Sequence, residues 1–555
     1  MFFQAFCQFC AAYYIHYLNR FKQTNSILIM KHISLFQLAS KQLAFKLVPF
    51  ILVILTSCSP AQEYDLIFRN GTIVDGTGKA AYIGDVALNG DTIMAVGKLT
   101  RAVGAEEVDI TGLVIAPGFI NIHSHAETDA LPTAVNMLSQ GVTTEIMNAD
   151  GRSPLDLTLQ MHQLDSGGLA LNVGGCIGFN SVWQASVGLN DLRPTEAQIQ
   201  EMQEMIRQGL EAGAWGVSAG LDYVPGRYAK TAEVIEVLNP FADWKVVFAN
   251  HDRLTPESHY SSIAGMTETI DIGTASGLIP LITHMKVQGW EQGKVDTILQ
   301  RMTAAKTDFE GGAVADVYPY LAGMTSLASL IIPSWAQEGG YETMVARFKD
   351  PALRARIILE AEEAMTLRFG GYEGIFLLDS QRELSDAMEA YGIESPGEAV
   401  IRLLEEKNQA IIARFGIESD LIAIMQHPTA SIACDCGASL RDRLHPRSWG
   451  SFPKVLGEYV REKKALTLEN AIYKMSGLPA KTIGMTDRGT LAPGMVADMV
   501  VFDPNTVIDK ATYEKPTLMS EGIIHTLVNG VFAWRDGTAT GEKAGKTLVR
   551  PIPAK

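Results

Sequence analysis

Cysteine is scarce in this chain of 555 residues, and its placement argues against a disulfide-rich fold. The sequence has six cysteines, and only Cys176, Cys434 and Cys436 lie beyond residue 58. Three thiols cannot all pair internally, and a Cys-x-Cys spacing is poor for a disulfide, so we predict no disulfide framework. Cys434 and Cys436 are interpreted as packing or loop residues, with thiol ligation of a metal as the minor alternative.

Positive charge is also in short supply, which argues against a nucleic-acid partner. Lys and Arg total 46 against 62 Asp and Glu, giving a formal net charge of −16 at pH 7, whereas phosphate binding needs a basic surface. The apolar fraction of 47 % and the charged fraction of 19 % are ordinary for a soluble globular protein. The length suits one large α/β barrel with accessory segments rather than a single small domain.

The first 57 residues lack Asp and Glu altogether, while they carry five basic residues. From Met30, a basic stretch precedes the apolar run 47–55, which is too short to span a bilayer and has the layout of a secretory signal. We therefore predict a signal segment at 1–57, with Met30 as the true start, and an exported protein. The run 55–58 (Leu-Thr-Ser-Cys) resembles a bacterial lipobox, which predicts lipidation at Cys58 and a lipid anchor on the periplasmic side of a bacterial membrane. An ordinary signal or a plain N-terminal anchor is the alternative.

Short β-like segments with strong turn signals occupy both ends of the remaining chain. After a polar linker at 58–63, the segment 64–112 contains the turn dipeptides Asn70-Gly71 and Asn89-Gly90. The segment 485–555 repeats this style. We predict one β-sandwich assembled from these two terminal segments, followed by a C-terminal tail.

Between these ends, residues 113–484 alternate apolar strand-like runs with helical segments, as a parallel α/β fold does. A helix is predicted at 194–210, where Thr195-x-x-Gln198 forms a capping box ahead of an apolar stripe. Eight runs qualify as strands, the number found in a TIM-type (β/α)8 barrel. They are 114–122, 142–148, 169–175, 215–219, 246–250, 280–283, 313–318 and 431–434. The long segment of about 326–428, which precedes the eighth strand, is predicted to be an inserted lid.

Side chains of the kinds that bind metals follow these strands where each one ends. His123 and His125 stand at i and i+2, so both imidazoles face the same side and can reach one metal ion. A His-x-His pair alone is equally compatible with an ordinary polar strand end. The other strands contribute Asp150, His251, His284 and Asp435. Because the carboxyl ends of barrel strands meet at one face, we predict that these six side chains converge on a metal site.

Several longer motifs extend this pattern. They are Pro-Gly-Phe-Ile-Asn-Ile-His-Ser-His (117–125), Gly-Leu-Asp-Tyr-Val-Pro-Gly (220–226), Asp-Val-Tyr-Pro-Tyr (316–320), His-Pro-Arg (445–447) and Pro-Gly…Ala-Asp (493–498). Together they resemble the amidohydrolase superfamily and, within it, the D-aminoacylases (N-acyl-D-amino-acid deacylases). The likeness covers nearly all of residues 64–535, and the third and fourth motifs are the more specific to the deacylase branch.

The resemblance implies a metal-dependent hydrolase. Its metal positions correspond to His123 and His125 in one half-site and to His251 and His284 in the other. One or two Zn²⁺ ions are implied, with another divalent metal as an alternative. Asp435 corresponds to the catalytic aspartate, which takes a proton from water and delivers it to the leaving amine.

The resemblance also implies the substrate. Tyr223, Tyr318 and Arg447 correspond to substrate-contacting positions, and the arginine would clamp the free carboxylate of an N-acyl amino acid. The implied reaction is hydrolysis of the amide bond of N-acyl-D-amino acids, small molecules, to a carboxylic acid and a free D-amino acid. The residues alone carry no signal for oligomeric state.

This chain departs from the family pattern at three places. Asp150 stands where D-aminoacylases carry a metal-bridging cysteine, and Glu145 is the weaker candidate because it lies on the opposite alternation of its strand. Met324 replaces a serine that follows the Tyr-Pro-Tyr segment, and Phe179 lies at or near the place of a histidine in the third-strand loop. These differences bear on acyl or side-chain preference more than on the chemistry.

Two other functions remain open from the sequence. One is another amidohydrolase of the same architecture, such as a dipeptidase or a cyclic-amide hydrolase, although cyclic amides lack the carboxylate that Arg447 would clamp. The other is a catalytically silent, ligand-binding lipoprotein, against which the joint presence of the four histidines and Asp435 argues.

Overall fold

The computed structural model describes residues 62–552. The predicted signal segment 1–57, its proposed start at Met30 and the proposed lipidation site Cys58 lie outside this part of the chain. Within the described residues, no helix is both long enough and apolar enough to cross a bilayer.

The chain begins with five strands of a mixed sheet. They are β1 (Glu63–Ile73), β2 (Tyr82–Asn89), β3 (Thr92–Gly97), β4 (Val103–Asp109) and β5 (Val114–Pro117). The Asn89-Gly90 turn joins β2 to β3 as predicted. The predicted turn at Asn70-Gly71 is wrong, because β1 continues through it with a bulge at which Asn70 adopts the left-handed conformation at φ 60°.

The next strands form the barrel. They are β6 (Phe119–Asn121), β7 (Val142–Met147), β8 (Asn172–Gly175), β9 (Ile177–Gly178), β10 (Gly216–Gly220), β11 (Val247–His251), β12 (Ile279–Ile282) and β13 (Val314–Val317). The predicted strand 114–122 is divided at Gly118 between the terminal sheet and the barrel. A Cβ atom at Gly118 would lie 2.3 Å from the side chain of Thr143, so only glycine allows this close approach.

An inserted subdomain follows β13 and has its own four-stranded sheet and apolar core. Its strands are β14 (Ala322–Ser326), β15 (Ile375–Leu377), β16 (Arg382–Glu383) and β17 (Ala410–Arg414). The chain then returns to the barrel with β18 (Ala430–Ile432), which pairs in parallel with β13.

Neighbouring strands close the barrel into a ring. β6, β7 and β8 pair in parallel, β9 continues the third strand after Cys176, and parallel pairing runs from β9 through β10–β13 to β18. A parallel bridge between Ser124 and Cys436 joins the last strand to the first. The described chain therefore has the predicted TIM-type (β/α)8 architecture, with β8 and β9 counted as one strand.

Helices separate most of the barrel strands and build the insertion. They are α1 (Val135–Leu138), α2 (Leu157–Gly167), α3 (Phe179–Ser186), α4 (Glu196–Glu211), α5 (Thr231–Leu238), α6 (Ser262–Ser276), α7 (Val295–Ala304), α8 (Leu327–Ile331), α9 (Ser334–Gln337), α10 (Tyr341–Arg347), α11 (Pro351–Phe369), α12 (Leu384–Tyr391), α13 (Pro396–Glu406), α14 (Glu418–Gln426), α15 (Arg447–Lys454), α16 (Leu468–Met475) and α17 (Gly477–Ile483). A π-helical segment, Val455–Glu462, continues α15. The predicted capping box starts α4: Thr195 Oγ1 accepts from the Gln198 amide, and Gln198 Oε1 accepts from the Thr195 amide.

The C-terminal strands complete the first sheet. β19 (Met499–Phe502), β20 (Ile523–Val528), β21 (Val531–Arg535) and β22 (Thr538–Ala539) extend it through the antiparallel pairing of β19 with β5. Four strand spacings would separate β1 from β21 by roughly 19 Å in a flat sheet. The rings of Phe68 and Phe532 are nevertheless 6.0 Å apart. The two termini thus form one continuous sheet that folds over its own core, rather than two separate sheets.

Asp498 ties this sheet to the barrel. Its carboxylate, 4 % exposed, accepts hydrogen bonds from Arg488 Nη1, from the amide side chain of Asn172 in β8 at 2.9 Å and from the backbone of Asn529 at 2.7 Å. Three segments that are distant in sequence therefore depend on one buried acceptor.

We expect Asp498→Ala to lower the free energy of unfolding by about 3–5 kcal/mol, because it removes the buried partner of Arg488 and leaves only the exposed Asp487 to pair with that arginine. Urea unfolding followed by circular dichroism measures the loss. Asp487→Ala is the matched control, since Asp487 pairs with the same Arg488 at 3.1 Å but is 56 % exposed. It should cost no more than about 1 kcal/mol. An equal loss of unfolding free energy in the two variants would contradict the role of Asp498 in joining the sheet to the barrel.

Candidate active site and metal centre

A cavity of about 570 Å³ opens at the carboxyl ends of the barrel strands. One wall is formed by the strand ends, and the other by Met324, Thr325 and Leu330 of the inserted subdomain. The predicted site residues that line the cavity are His125, Asp150, Tyr223, His251, His284, Tyr318, Asp435 and Arg447. His123 lies beneath them and is 1 % exposed.

The first half-site gathers around the end of β6. His123 Nε2 lies 3.5 Å from both Asp150 Oδ1 and Asp435 Oδ1. His125 Nε2 lies 3.1 Å from Asp435 Oδ1 and 3.5 Å from Asp150 Oδ2. The structure thus brings together two imidazoles and two carboxylates that the sequence separates by more than three hundred residues.

The second half-site shares Asp150 with the first. His251 Nδ1 and His284 Nε2 each lie 3.6 Å from one oxygen of this carboxylate. Asp150 therefore stands between the two histidine pairs, as a bridging ligand must. Glu145 does not take part. Its carboxylate is fully buried and accepts from Asn121 Nδ2, Ser124 Oγ and the amide of Ala438, so it holds the strand ends together.

The backbone turns sharply where three of these side chains enter the cavity. Asp150, His284 and Asp435 have φ values of 53°, 35° and 50°. Non-glycine residues seldom adopt this left-handed conformation, and such residues cluster at functional sites.

Unpartnered polar atoms show that the residues fit a divalent cation. His123 Nε2, Asp150 Oδ1 and His251 Nδ1 are buried, and none has a hydrogen-bond partner among the described residues. The other ring nitrogen of His123 faces Asp316 Oδ2 at 3.3 Å, which places the proton on Nδ1 and leaves the Nε2 lone pair for a metal. Imidazole nitrogens and carboxylate oxygens are common metal ligands.

Both carboxylates of the centre are held in the ionised form. Burial by itself raises the pKa of Asp435, but the Arg447 guanidinium beside it outweighs burial and holds that pKa well below its usual range. Burial acts in the same way on Asp150, where the surrounding histidines lower the pKa well below its usual range.

Two residues that the sequence analysis did not assign stand in the same cluster. Asp316 Oδ1 accepts from the backbone amide of His284 at 2.7 Å, so this one carboxylate supports a histidine of each half-site. Lys286 Nζ lies 3.0 Å from His284 Nδ1, and burial lowers the pKa of this lysine to about 8. A signal was available for each: Asp316 opens the Asp-Val-Tyr-Pro-Tyr motif, and Lys286 follows His284 by two residues on the same side.

The predicted substrate-contacting residues surround the cluster of candidate metal ligands. Arg447 Nη1 lies 2.6 Å from Asp435 Oδ2, and its guanidinium carbon lies 4.8 Å from the centre of the Tyr318 ring. Arg447 Nε and the Tyr318 hydroxyl are both buried and have no hydrogen-bond partner within residues 62–552. The Tyr223 ring packs 4.3 Å from the ring of His251. Polar groups remain available here for a ligand.

A buried ion pair fastens the inserted subdomain to the barrel. Arg368 of α11, 1 % exposed, donates from Nη2 to Asp222, which also accepts from Arg227 Nη2 at 2.6 Å. Although burial opposes it, these arginines lower the pKa of Asp222 to about 2. Because Tyr223 is the next residue, the same contact fixes the loop that carries it.

The three departures from the family pattern fall in different places. Asp150 is shared by both half-sites, and Met324 lines the cavity. Phe179 is instead buried in the core, with its ring 6.0 Å from that of Trp183.

The prediction that Cys434 and Cys436 are unpaired is wrong. The two residues form a disulfide with only Asp435 between them, while Cys176 is a free, buried thiol. The left-handed conformation of Asp435 explains the pairing, because it turns the chain so that the flanking side chains meet.

Comparison with known proteins agrees with this geometry. Residues 420–533 match the model of the amidohydrolase family. Over 533 residues the chain is 32 % identical to a D-aminoacylase of Alcaligenes xylosoxydans xylosoxydans, covering 89 % of this chain and 99 % of that protein. The chain belongs to the D-aminoacylase family of amidohydrolases.

Solved structures of the D-aminoacylase family share the fold described above. A D-aminoacylase crystal structure is similar with a TM-score of 0.73 at 29 % identity, covering 88 % of this chain and 100 % of that one. An N-acyl-D-glutamate deacylase from Bordetella bronchiseptica, complexed with zinc and a phosphonate inhibitor, is similar with a TM-score of 0.72 at 28 % identity and the same coverage. The resemblance inferred from the motifs is confirmed.

Asp316→Asn should weaken metal binding by about 10- to 100-fold, because an asparagine offers one acceptor oxygen where Asp316 serves both His123 and the His284 amide. Competition with a chromophoric chelator measures the affinity. Asp420→Asn is the control: Asp420 is also buried and accepts from the Gly293 amide at 2.7 Å, but it lies outside the centre. The Asp420→Asn variant should bind the metal with the same affinity as the wild type. An unchanged affinity in Asp316→Asn would exclude the support role.

Proposed function

We propose that this protein is a zinc-dependent N-acyl-D-amino-acid deacylase. It hydrolyses the amide bond of an N-acyl-D-amino acid and releases a carboxylic acid and a free D-amino acid. The observation that carries the proposal is the position of Arg447, which touches the aspartate of the metal cluster and still keeps a free guanidinium N–H. An anion recognised at Arg447 lies beside the reacting centre.

The donor set supports zinc. Histidine nitrogens and carboxylate oxygens suit Zn²⁺, and the sharing of Asp150 supports room for one or two ions. When bound, the cation polarises the scissile carbonyl and acidifies the attacking water. The carboxylate of Asp150 is a harder ligand than the thiolate that the family pattern has at this position. A site with this carboxylate therefore favours harder divalent ions more than a site with the thiolate does.

Asp435 is the group that moves the proton. It is held ionised, so it can accept a proton from the attacking water and deliver it to the leaving nitrogen as the C–N bond breaks. Its Oδ1 faces His125 at 3.1 Å and its Oδ2 faces Arg447 at 2.6 Å, which fixes the direction of the carboxylate.

A cationic pocket beside Asp435 supports recognition of the substrate carboxylate. Arg447 and Lys286 both approach the Tyr318 ring, at 4.8 Å and 5.7 Å from its centre. Arg447 Nε and the Tyr318 hydroxyl are buried donors without a partner among the described residues, so an acceptor on the ligand would satisfy them. A carboxylate meets this need, and it can bind a guanidinium through two parallel hydrogen bonds.

We also propose that the protein is exported and held at a bacterial membrane by a lipid on Cys58. The acid-free first 57 residues and the Leu-Thr-Ser-Cys run support this location. The disulfide at Cys434 and Cys436 supports it too, since such bonds persist in oxidising compartments.

The main test is metal analysis of the purified protein, coupled to a screen of N-acetyl-D- and N-acetyl-L-amino acids. We expect bound zinc and turnover of D substrates. Asp435→Asn should lower kcat by at least about 10³-fold with its metal retained, because it removes the proton carrier. Turnover of L substrates only, or of neither series, would overturn the proposal, and turnover of hydantoins or dipeptides instead would identify one of the alternatives.

Arg447→Gln should lower kcat/KM for N-acetyl-D-amino acids by about 30- to 1,000-fold, since it removes the charge that pairs with the substrate carboxylate. Amides of the same substrates, which lack the carboxylate, should lose only the smaller part of kcat/KM that comes from the broken Arg447–Asp435 contact. Arg441→Gln is the control, because Arg441 also lines the cavity but its side chain is 66 % exposed and pairs with Glu127. It should change kcat/KM by less than about fivefold. Equal losses for acids and amides would contradict carboxylate recognition.

A further inference from the structure

The disulfide at the end of the eighth barrel strand encloses the residue that the proposed mechanism depends on. Cys434 and Cys436 are 0 % and 5 % exposed, and their bond closes a ring that contains only Asp435 between them. Cys436 also lines the active-site cavity. A covalent bond this close to a group that moves protons constrains that group more directly than any contact elsewhere in the barrel.

We propose that the Cys434–Cys436 disulfide is a positioning element for Asp435, and that full activity requires this bond. The proposal rests on the proposed function, in which Asp435 carries the proton. The two cysteines supply no group that takes part in the proposed chemistry. They act through the backbone of Asp435, which the closed ring holds in its left-handed conformation.

The backbone of residues 434–436 is hydrogen-bonded to the first strand and its extension, and on the other side the nearest bond is that of the preceding Ala433 amide to the Val317 carbonyl at 3.0 Å. The Asn121 side chain accepts from the amide of Cys434 at 3.1 Å and donates to the carbonyl of Cys436 at 3.2 Å. The His125 amide donates to the same carbonyl at 3.0 Å. Asn121 and His125 belong to the first strand and its extension. The disulfide adds a covalent restraint to these hydrogen bonds, because it prevents the two ends of the turn from separating.

The contacts of the Asp435 side chain show how precisely its backbone must be held. One oxygen, Oδ1, lies 3.1 Å from His125 Nε2, and the other, Oδ2, lies 2.6 Å from Arg447 Nη1. Rotation of the backbone at Asp435 breaks at least one of these contacts. A misplacement of about 1 Å in a reacting group costs on the order of a hundredfold in rate.

Formation of the bond is an ordinary thiol–disulfide exchange. The two thiols lose two protons and two electrons, and a disulfide of an oxidising partner accepts both and leaves as two thiols after a mixed-disulfide intermediate. The reverse reaction, with a phosphine or dithiol reductant, opens the ring. The Cys434–Cys436 bond can therefore be opened and closed in vitro, and activity can be measured in each state.

Mass spectrometry tests whether the Cys434–Cys436 disulfide is present. The full-length protein, purified without reductant, is unfolded in an alkylating reagent and digested. We expect the peptide that contains residues 434–436 to be unmodified and lighter by two hydrogens than its dithiol form, and to take two alkyl groups only after phosphine treatment. Alkylation of both cysteines without reduction would overturn the proposal.

Positioning is tested by kinetics of the wild type, the phosphine-treated wild type and the Cys434→Ser/Cys436→Ser variant. Opening the ring should lower kcat by at least about tenfold and change KM by less than about twofold, with metal content unchanged. Glutathione disulfide should restore kcat in the treated wild type and not in the variant. Cys176→Ala, which removes the free buried thiol, should follow the wild type throughout. Wild-type kcat with the ring open would overturn the proposal.

A crystal structure of the double-serine variant provides a measure that is independent of activity. The separation of Asp435 Oδ1 from His125 Nε2, 3.1 Å here, should increase. An unchanged separation overturns the positioning role even if the wild type hydrolyses no N-acyl amino acid. Absence of turnover together with an intact bond and an increased separation in the variant contradicts the proposed function alone.

Discussion

The carboxylate of Asp150 is the constraint on which the rest of the site depends. It is 8 % exposed, and a buried carboxylate stays ionised only where positive charges or hydrogen-bond donors surround it. Four histidine rings from three strand ends lie 3.5–3.6 Å from it, and a divalent cation held among them would supply this charge. Each of these three strands must therefore end where its histidine reaches this carboxylate, and the pairing of strands around the barrel sets those positions.

A second layer of buried acids keeps this arrangement in place without entering it. Asp316 supports a histidine of each half-site from below, while Glu145 joins Asn121, Ser124 and the chain that follows the eighth strand. The inserted subdomain is fastened in the same manner, through Arg368 and Asp222. Polar contacts of this kind have direction, so they specify orientation where apolar packing alone would permit several.

The sequence predicts those parts of the site that depend on local periodicity. Strand alternation places His123 and His125 on one side, and the common edge of parallel strands brings Asp150, His251, His284 and Asp435 toward them. The capping box of Thr195 is equally local. The role of Asp316 is not predicted because its partners His123 and His284 come from other strands, and side-chain contacts between strands leave no period in the chain. Lys286 differs, because its partner His284 stands only two residues before it. The Asn70 bulge and the Cys434–Cys436 bond each depend on the φ angle of a single residue, which periodicity does not encode.

The division of one apolar run at Gly118 makes the catalytic barrel inseparable from the chain termini. The residues before Gly118 pair with the C-terminal strand β19, its own amide donates to the Asp498 carbonyl, and the residues after it lead directly to His123. The alignment of His123 and His125, the first two candidate metal ligands, thus depends on a sheet that contributes none of the candidate ligands. The barrel is therefore not structurally independent of the terminal sheet. A barrel cut out at the edges of its eight strands would keep every candidate metal ligand, but it would lose the contacts that orient two of them. Recombination between relatives would have to exchange both ends of the chain together.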